Sequence, residues 1–300
     1  MPVHSNRVAQ ADAAVTRLRS LLFVPGDRPD RIAKALDTGA DAIILDLEDS
    51  VAPARKPLAR SAIAECLNAA PRRAALFMRI NPVDSEHAVA DLALVSAGRP
   101  DAIVLPKAEG ADTVRELLQR MSVACPILPI ATETPKAVFA LGSYQAVAEH
   151  LIGISWGAED LPAAIGASSS RDAEGRYRPP YELARSLTLF GAHAAGVPAI
   201  ETVYPALRDL DGLRAYARRA MFDGFTAMMA VHPSQVPVIN DAFTPTEEAV
   251  QQARAVVAAF AANPGAGVLE LGGQMIDAPH LKQAKNILQR AGLGIDGHRS

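Results

Sequence analysis

The sequence predicts a closed (β/α)8 TIM barrel followed by a C-terminal helical extension. Three observations carry that reading. First, a short run of branched apolar residues, a polar or Gly/Pro stop and an Ala/Leu-rich amphipathic helix recur eight times. Strands alternating with helices imply a parallel sheet, and eight such units imply a closed barrel. Second, an open doubly wound sheet would bring a Gly-rich phosphate loop after its first strand. Pro25-Gly26-Asp27-Arg28-Pro29 is not one. Third, the chain runs nearly seventy residues past the eighth apolar run, which is surplus to a barrel.

Residues 1–18 are polar and Ala-rich and read as a flexible arm. The apolar runs fall at 20–24, 42–47, 75–80, 102–105, 127–131, 151–155, 199–203 and 225–231, so the barrel spans 19–243. Helical segments lie between them, for example 29–38, 113–121, 135–141, 181–195 and 210–221. Beyond the barrel, Thr246-Glu247-Glu248 supplies a capping hydroxyl and acids that favour a helix N-terminus, predicting a helix over 244–262. A Gly-rich stretch, 263–273, follows. Gln274-Met-Ile-Asp277-Ala-Pro279 then leads into a last helix ending near residue 290. The extension, 244–300, reads as a lid or a subunit arm.

Composition narrows the function classes. A formal net charge of −3, with no basic run carrying interleaved aromatics, gives no support for nucleic-acid binding. Cys66 and Cys125 stand in unrelated contexts, so neither a disulfide framework nor a thiolate metal site is indicated. No secretion signal or membrane-length apolar run is evident, which predicts a cytoplasmic protein.

In a parallel barrel the C-terminal strand ends form the active site. Here they read Pro25-Gly26, Asp46-Leu-Glu48-Asp49, Arg79-Ile-Asn81, Pro106-Lys107-Ala-Glu109, Glu133-Thr134, Glu159-Asp160, Glu201-Thr202 and His232-Pro233. Seven of these eight carry titratable side chains, a concentration that a scaffold barrel has no use for. Glu133 and Asp160 lie one strand–helix–strand unit apart, so neighbouring strands aim both at one point. Two such carboxylates fit a hard cation that keeps most of its positions for water and substrate, as Mg²⁺ does. The alternative is that either acid caps the helix after it. Arg79 is the substrate-side cation, suited to clamp a carboxylate or steady an oxyanion; the alternative is a buried ion pair with the Asp46–Asp49 cluster. Lys107 fits a structural pair with Glu48 or Asp46, and His232 is either a ligand, a base or a loop-shaping residue.

Arg19-Ser-Leu-Leu-Phe-Val-Pro-Gly26, Asp46-Leu-Glu-Asp-Ser-Val51, Leu105-Pro-Lys107, Glu133-Thr134, Gly157-Ala-Glu-Asp-Leu161, His232-Pro-Ser-Gln235 and Gly273-Gln-Met-Ile-Asp277 together resemble the HpcH/HpaI aldolase/citrate lyase superfamily. The closer similarity is to its citrate lyase β-subunit-like branch, which includes malyl-CoA and citramalyl-CoA lyases, and it runs from about Arg19 to Ala291. The aldolase branch without CoA uses a histidine near the second strand, where this chain has Asp46-Leu-Glu-Asp.

The resemblance implies a Mg²⁺-dependent barrel, trimeric or hexameric, that acts on acyl-CoA and keto-acid substrates. Its metal ligands fall on Glu133 and Asp160, and its substrate arginine on Arg79. Its CoA contacts map to Phe23 and Lys34. Its acid/base aspartate, commonly lent by a neighbouring subunit, is Asp277; residue chemistry alone reads Asp277 as a cap before Pro279. The implied reaction is reversible cleavage of a 3-hydroxyacyl-CoA, such as malyl-, citramalyl- or citryl-CoA, into acetyl-CoA and a keto acid. Alternatives are a thioesterase or malate-synthase-like outcome at the same site, or a weakly active CoA- or carrier-binding subunit. Two departures stand out: Glu201-Thr202-Val203 where relatives often have Asp-Thr-Val, expected to reshape the pocket, and an individual loop at 168–180.

Overall fold

The computed structural model describes residues 18–69 and 74–293. The arm expected at the N-terminus therefore lies outside the described residues, except for Leu18. Eight parallel strands form the centre: β1 (Ser20–Pro25), β2 (Ala42–Asp46), β3 (Ala75–Arg79), β4 (Ala102–Leu105), β5 (Ile127–Pro129), β6 (Ile154–Ser155), β7 (Ala199–Glu201) and β8 (Ala227–Ala230). They hydrogen-bond in the order β5-β4-β3-β2-β1-β8-β7-β6. Two isolated parallel bridges, Ile127 with Leu151 and Ile130 with Ser155, close the ring. The barrel expected from the sequence is the fold found.

The helices between the strands are α1 (Pro29–Ala35), α2 (Lys56–Asn68), α3 (Ala88–Gly98), α4 (Ala111–Arg120), α5 (Pro135–Ala140), the short α6 (Asp160–Ala164), α7 (Pro179–Ala195), α8 (Leu210–Asp223) and α9 (Gln235–Phe243). Their boundaries follow local chemistry. Thr134 caps α5 by accepting from the Ala137 N–H, and Asp209 caps α8 by accepting from Gly212. Gly196 and Gly224 end α7 and α8 at φ +72° and +112°, a left-handed turn that costs a side chain-free residue little. The last strand starts later than its apolar run because the Phe225 N–H still closes the end of α8, bonding Ala220 O at 3.0 Å.

The barrel interior is set by parity. Leu21 and Phe23, Ala42 and Ile44, Ala75 and Phe77, Ala102 and Val104, Leu128 and Ile130, Ile200, and Ala227 and Met229 pack into one central cluster. Successive side chains alternate faces, so these residues point inward. Leu22, Ile43, Leu45, Leu76, Met78 and Ile103 take the opposite parity toward the helices and are just as buried.

The chain divides into two compact units, one made by residues 18–240 and one that includes the residues from 241 onward. The second holds α10 (Glu247–Ala262), β9 (Val268–Leu271), β10 (Gln274–Asp277) and α11 (Ala278–Arg290). Val250, Ala253 and Val256 on α10 pack with Ile276, Ala284 and Leu288 in a small core of their own. Here the structure corrects the sequence reading, which took 263–273 as a Gly-rich connection. It is half of an antiparallel hairpin, with Val268 opposite Asp277. Gly272 and Gly273, at φ +59° and +78°, form the two-residue turn that such a hairpin favours. Among the described residues, no helix is long and apolar enough to cross a membrane.

Candidate active site

Strand parity carries Asp46 and Arg79 to the top of the barrel interior. They continue the inward rows of β2 and β3 and stand directly opposite each other in the parallel register. Arg79 grips Asp46 with two parallel hydrogen bonds, Nε to Oδ1 at 2.6 Å and Nη2 to Oδ2 at 2.7 Å. Its Nη1 lies 2.9 Å from Glu48 Oε2 without aiming a hydrogen at it, so that oxygen has charge contact but no hydrogen bond. The Phe23 ring supports the guanidinium from one side, with its centroid 4.8 Å from Cζ. The ion pair that the sequence reading held as an alternative for Arg79 is therefore formed. It leaves one N–H on Nη2 and both on Nη1 without a hydrogen-bond acceptor among the described residues.

Lys107 links this pair to the acids of β5 and β6. Its Nζ reaches Glu48 Oε1 at 2.5 Å, Asp49 Oδ2 at 3.7 Å and Asp160 Oδ1 at 4.0 Å. Its backbone N–H donates to Glu133 Oε2 at 2.5 Å. Lys107 sits at φ +49°, a left-handed conformation that disfavours a side chain, and such strain collects at functional sites. Of the two partners offered for Lys107 by sequence, Glu48 is the one found. Beneath the group, Lys56 is buried and donates to Leu47 O, Glu48 O and Asn81 Oδ1, which braces the turn that carries Glu48.

The electrostatics are unbalanced. Asp46, Glu48, Asp49, Glu133 and Asp160 face Arg79, Lys107 and Lys56, five acids against three cations, so full ionisation would leave two negative charges unmatched. Burial works against ionising Asp46, yet the hydrogen bonds and charge of Arg79 hold its carboxyl below the usual range. Glu48 goes the other way: burial raises it despite Arg79 and Lys107. Glu133 is 3% exposed, and burial pushes its carboxyl up to about 8. The Lys107 N–H opposes that shift, while the charges of Glu48 and Asp160 add to it. A buried carboxylate with such neighbours is a poor resting state unless a cation joins it.

The donor set fits magnesium. Glu133 and Asp160 offer hard oxygens only, and no cluster of three or more His, Cys, Asp or Glu stands ready to hold an ion among the described residues. A site with two carboxylates suits an ion that keeps several waters, rather than the all-protein cages of zinc or calcium. Asp160 is partly exposed, on the first turn of α6, so its side remains open to solvent and substrate.

One glycine makes room for this arrangement. A Cβ on Gly157 would stand 2.7 Å from Glu133 Cγ and 3.2 Å from its Oε1. The Gly157 N–H and C=O both bond Thr132 Oγ1, at 3.2 and 3.1 Å, which fixes the backbone against that carboxylate. Gly157→Ala is expected to leave the barrel folded while weakening Mg²⁺ binding by about 10- to 100-fold, the range for a displaced ligand support. Isothermal titration with Mg²⁺ checks this, and unchanged affinity would show that Glu133 is not the group displaced.

Other sequence-predicted residues lie elsewhere. Lys34 is exposed in the last turn of α1 and joins no ion pair of the Arg79 network. Asp277 belongs to the second compact unit, where it caps α11. Its Oδ1 lies 2.6 Å from His280 Nδ1, and that hydrogen bond holds its carboxyl below the usual range. Its reading as a cap is thus realised in the geometry. His232 is exposed, and Gln235 does the shaping of its loop, accepting from the Val231 and His232 N–H groups and donating to Tyr204 O.

Glu201 requires a correction. It is fully buried and lies one residue out of the inward register marked by Ile200, so it points toward the helices and does not shape a central pocket. There it accepts from Trp156 Nε1, Arg185 Nε, Tyr216 OH and the Thr202 N–H. The sequence reading offered the Asp46–Asp49 cluster only as an alternative partner for Arg79, and Asp46 and Glu48 are the members of it that hold the guanidinium.

This arrangement matches known proteins along most of its length. The HpcH/HpaI aldolase/citrate lyase model matches residues 19–233. A citrate lyase subunit beta-like protein of Mycobacterium tuberculosis is 40% identical over 271 residues, covering 90% of this chain and 94% of its own. The mitochondrial citramalyl-CoA lyase of Mus musculus is 33% identical, covering 91% of this chain and 86% of its own. Among solved structures, protein CitE of M. tuberculosis in complex with magnesium, acetoacetate and coenzyme A is similar with a TM-score of 0.77 at 37% identity, covering 91% of this chain and 98% of that one. With a family model spanning the barrel and such relatives covering nearly the whole chain, the protein belongs to the HpcH/HpaI aldolase/citrate lyase family of carbon–carbon lyases.

Proposed function

We propose that the protein is a Mg²⁺-dependent lyase that reversibly cleaves a 3-hydroxyacyl-CoA, of the malyl-, citramalyl- or citryl-CoA kind, into acetyl-CoA and a keto acid. The observation that carries this is the pair of carboxyls, buried Glu133 and half-open Asp160, in an acid-rich cluster beside the Asp46-braced fork of Arg79. The magnesium, acetoacetate and coenzyme A bound by CitE, and the citramalyl-CoA named for the mouse enzyme, support the substrate class.

Glu133 and Asp160 would hold the ion, which when bound supplies Lewis-acid polarisation of the acid half's oxygens. Arg79 is locked in orientation by Asp46, so its uncommitted N–H groups meet developing oxygen charge without reorganising. Phe23 closes one face of the guanidinium and keeps water from it. In the condensation direction the Asp277 carboxylate takes a proton from the thioester methyl, the resulting carbanion attacks the carbonyl carbon of the keto acid, and the alkoxide so formed takes a proton from solvent. In cleavage the hydroxyl gives its proton to solvent, the carbon–carbon bond breaks to leave the keto acid and the thioester carbanion, and Asp277 in its protonated form gives its proton to that carbon. Asp277 is ionised at neutral pH as the condensation step requires, and the His280 hydrogen bond favours its carboxylate form further. We assign the second unit the role of delivering Asp277 to a neighbouring copy within a trimer or hexamer, with Phe23 and Lys34 on the CoA side.

The test is mass spectrometry of the purified protein with Mg²⁺ and a panel of acyl-CoAs. Acetyl-CoA together with a keto acid is the expected result. Free CoA with a hydroxy acid would mean a thioesterase, and no turnover of any member would leave a binding subunit.

A further inference from the structure

The connection from β6 to α7 leaves the barrel at its catalytic end and folds back as a small hairpin. Arg171 and Tyr177 form its bridge, and Asp172 N bonds Arg176 O at 2.9 Å. The acids of this hairpin are spent on one arginine: Arg176 pairs with Asp172 and with Glu174, each at 3.0 Å. Arg171 is adjacent in sequence to Asp172, yet it has no carboxylate within ion-pair distance among the described residues. Its donors go to neutral acceptors instead, Nη1 to Gly175 O at 3.0 Å and Nη2 to the Tyr177 hydroxyl at 2.5 Å. Its Nε–H is buried without any acceptor.

The guanidinium is nonetheless held firmly. Its Cζ stands 3.8 Å from the Tyr177 ring centroid and 5.9 Å from that of Tyr204. Tyr177 in turn packs on Trp156, centroid to centroid 5.1 Å, and Trp156 directly precedes the Gly157–Asp160 turn. A half-buried cation that is stacked, oriented and lacking a counter-ion is arranged to receive an anion from outside the protein. Its position selects which anion. Arg171 lies on the connection that follows β6 and also carries Asp160, whereas Phe23 and Lys34, assigned above to the CoA side, lie on β1 and α1, with β1 three places away from β6 in the sheet order.

We propose that Arg171 binds a second carboxylate of the keto-acid half and so sets the enzyme's preference for a dicarboxylic over a monocarboxylic acid. This rests on the lyase reading above. The test measures dissociation constants for oxaloacetate and pyruvate in the presence of Mg²⁺, using the fluorescence of Trp156, the protein's one tryptophan. The wild type is expected to bind oxaloacetate more tightly than pyruvate. Arg171→Gln should weaken oxaloacetate by about 10- to 100-fold and pyruvate by less than about twofold, the span expected for one charge-assisted contact. Arg171→Lys, which keeps the charge and loses the planar fork, should fall between. Parallel weakening of both acids would reduce Arg171 to a brace for the hairpin and overturn the assignment. So would wild-type binding without preference, or a loss confined to coenzyme A, which would move the contact to its phosphates. Failure of the wild type to bind either keto acid would instead sink the lyase reading itself.

Discussion

Glu133→Gln is expected to abolish Mg²⁺ binding and turnover while making the metal-free protein harder to unfold above neutral pH. Both effects come from one buried carboxyl. In the unfolded chain it releases its proton at about 4.5, and in the fold burial moves that release up to about 8. Between those values the folded state binds the extra proton, so its contribution to stability is complete below the lower value and is lost as pH rises through the upper one. The amide carries no such burden. Metal-free wild type should therefore lose stability relative to the variant between pH 4.5 and 8, reaching a plateau above. Mg²⁺ must displace the same proton, so wild-type affinity should rise about tenfold per pH unit up to the shifted value and then level off. Denaturant melts across pH, with and without Mg²⁺, read both. A variant that still binds the ion, or a pH-independent stability difference, would remove Glu133 from the metal site.

The second large effect separates two roles of one side chain. Asp277→Ser and Asp277→Ala should each reduce kcat by about 100- to 10,000-fold, the usual worth of a positioned acid/base group. They should differ in stability. Asp277 caps α11 in a reciprocal arrangement with His280, and serine can keep the cap while alanine cannot. Alanine should therefore be less stable than serine, seen as earlier unfolding of the unit built around Ile276 and Leu288. Near-normal turnover by the serine variant would leave Asp277 a cap and nothing else.

What the sequence disclosed depends on the kind of signal involved. The barrel was legible because alternation of apolar runs and helices is a long-range pattern that single misplacements do not erase. The orientation of Glu201 was not. A strand of a parallel barrel is buried on both faces, so hydrophobicity does not mark which parity looks inward, and Ile200 and Glu201 read as one apolar end with an acid on it. Arg79 had the same ambiguity: its pairing with the Asp46–Asp49 cluster stood only as an alternative, and the β2–β3 register singled out Asp46. The hairpin of the second unit was within reach, because Gly272-Gly273 separates two short alternating runs. The need for glycine at 157 was out of reach, since it depends on Glu133, which lies on another strand.

The closure of the ring has a mechanical consequence. Seven junctions between neighbouring strands are continuous ladders, while β5 meets β6 through two bridges and the bonds from Ile152 N to Ile127 O and from Ala131 N to Ser155 O. Glu133 and Asp160 stand on the two sides of that seam. An ion shared between them, as proposed above, would fasten the staves of the barrel at their loosest joint, much as a clasp completes a band. Because such an ion binds only the closed ring, its binding energy adds to the stability of closure. The place where the fold is least sewn together by its own backbone is also where the chemistry is expected to begin.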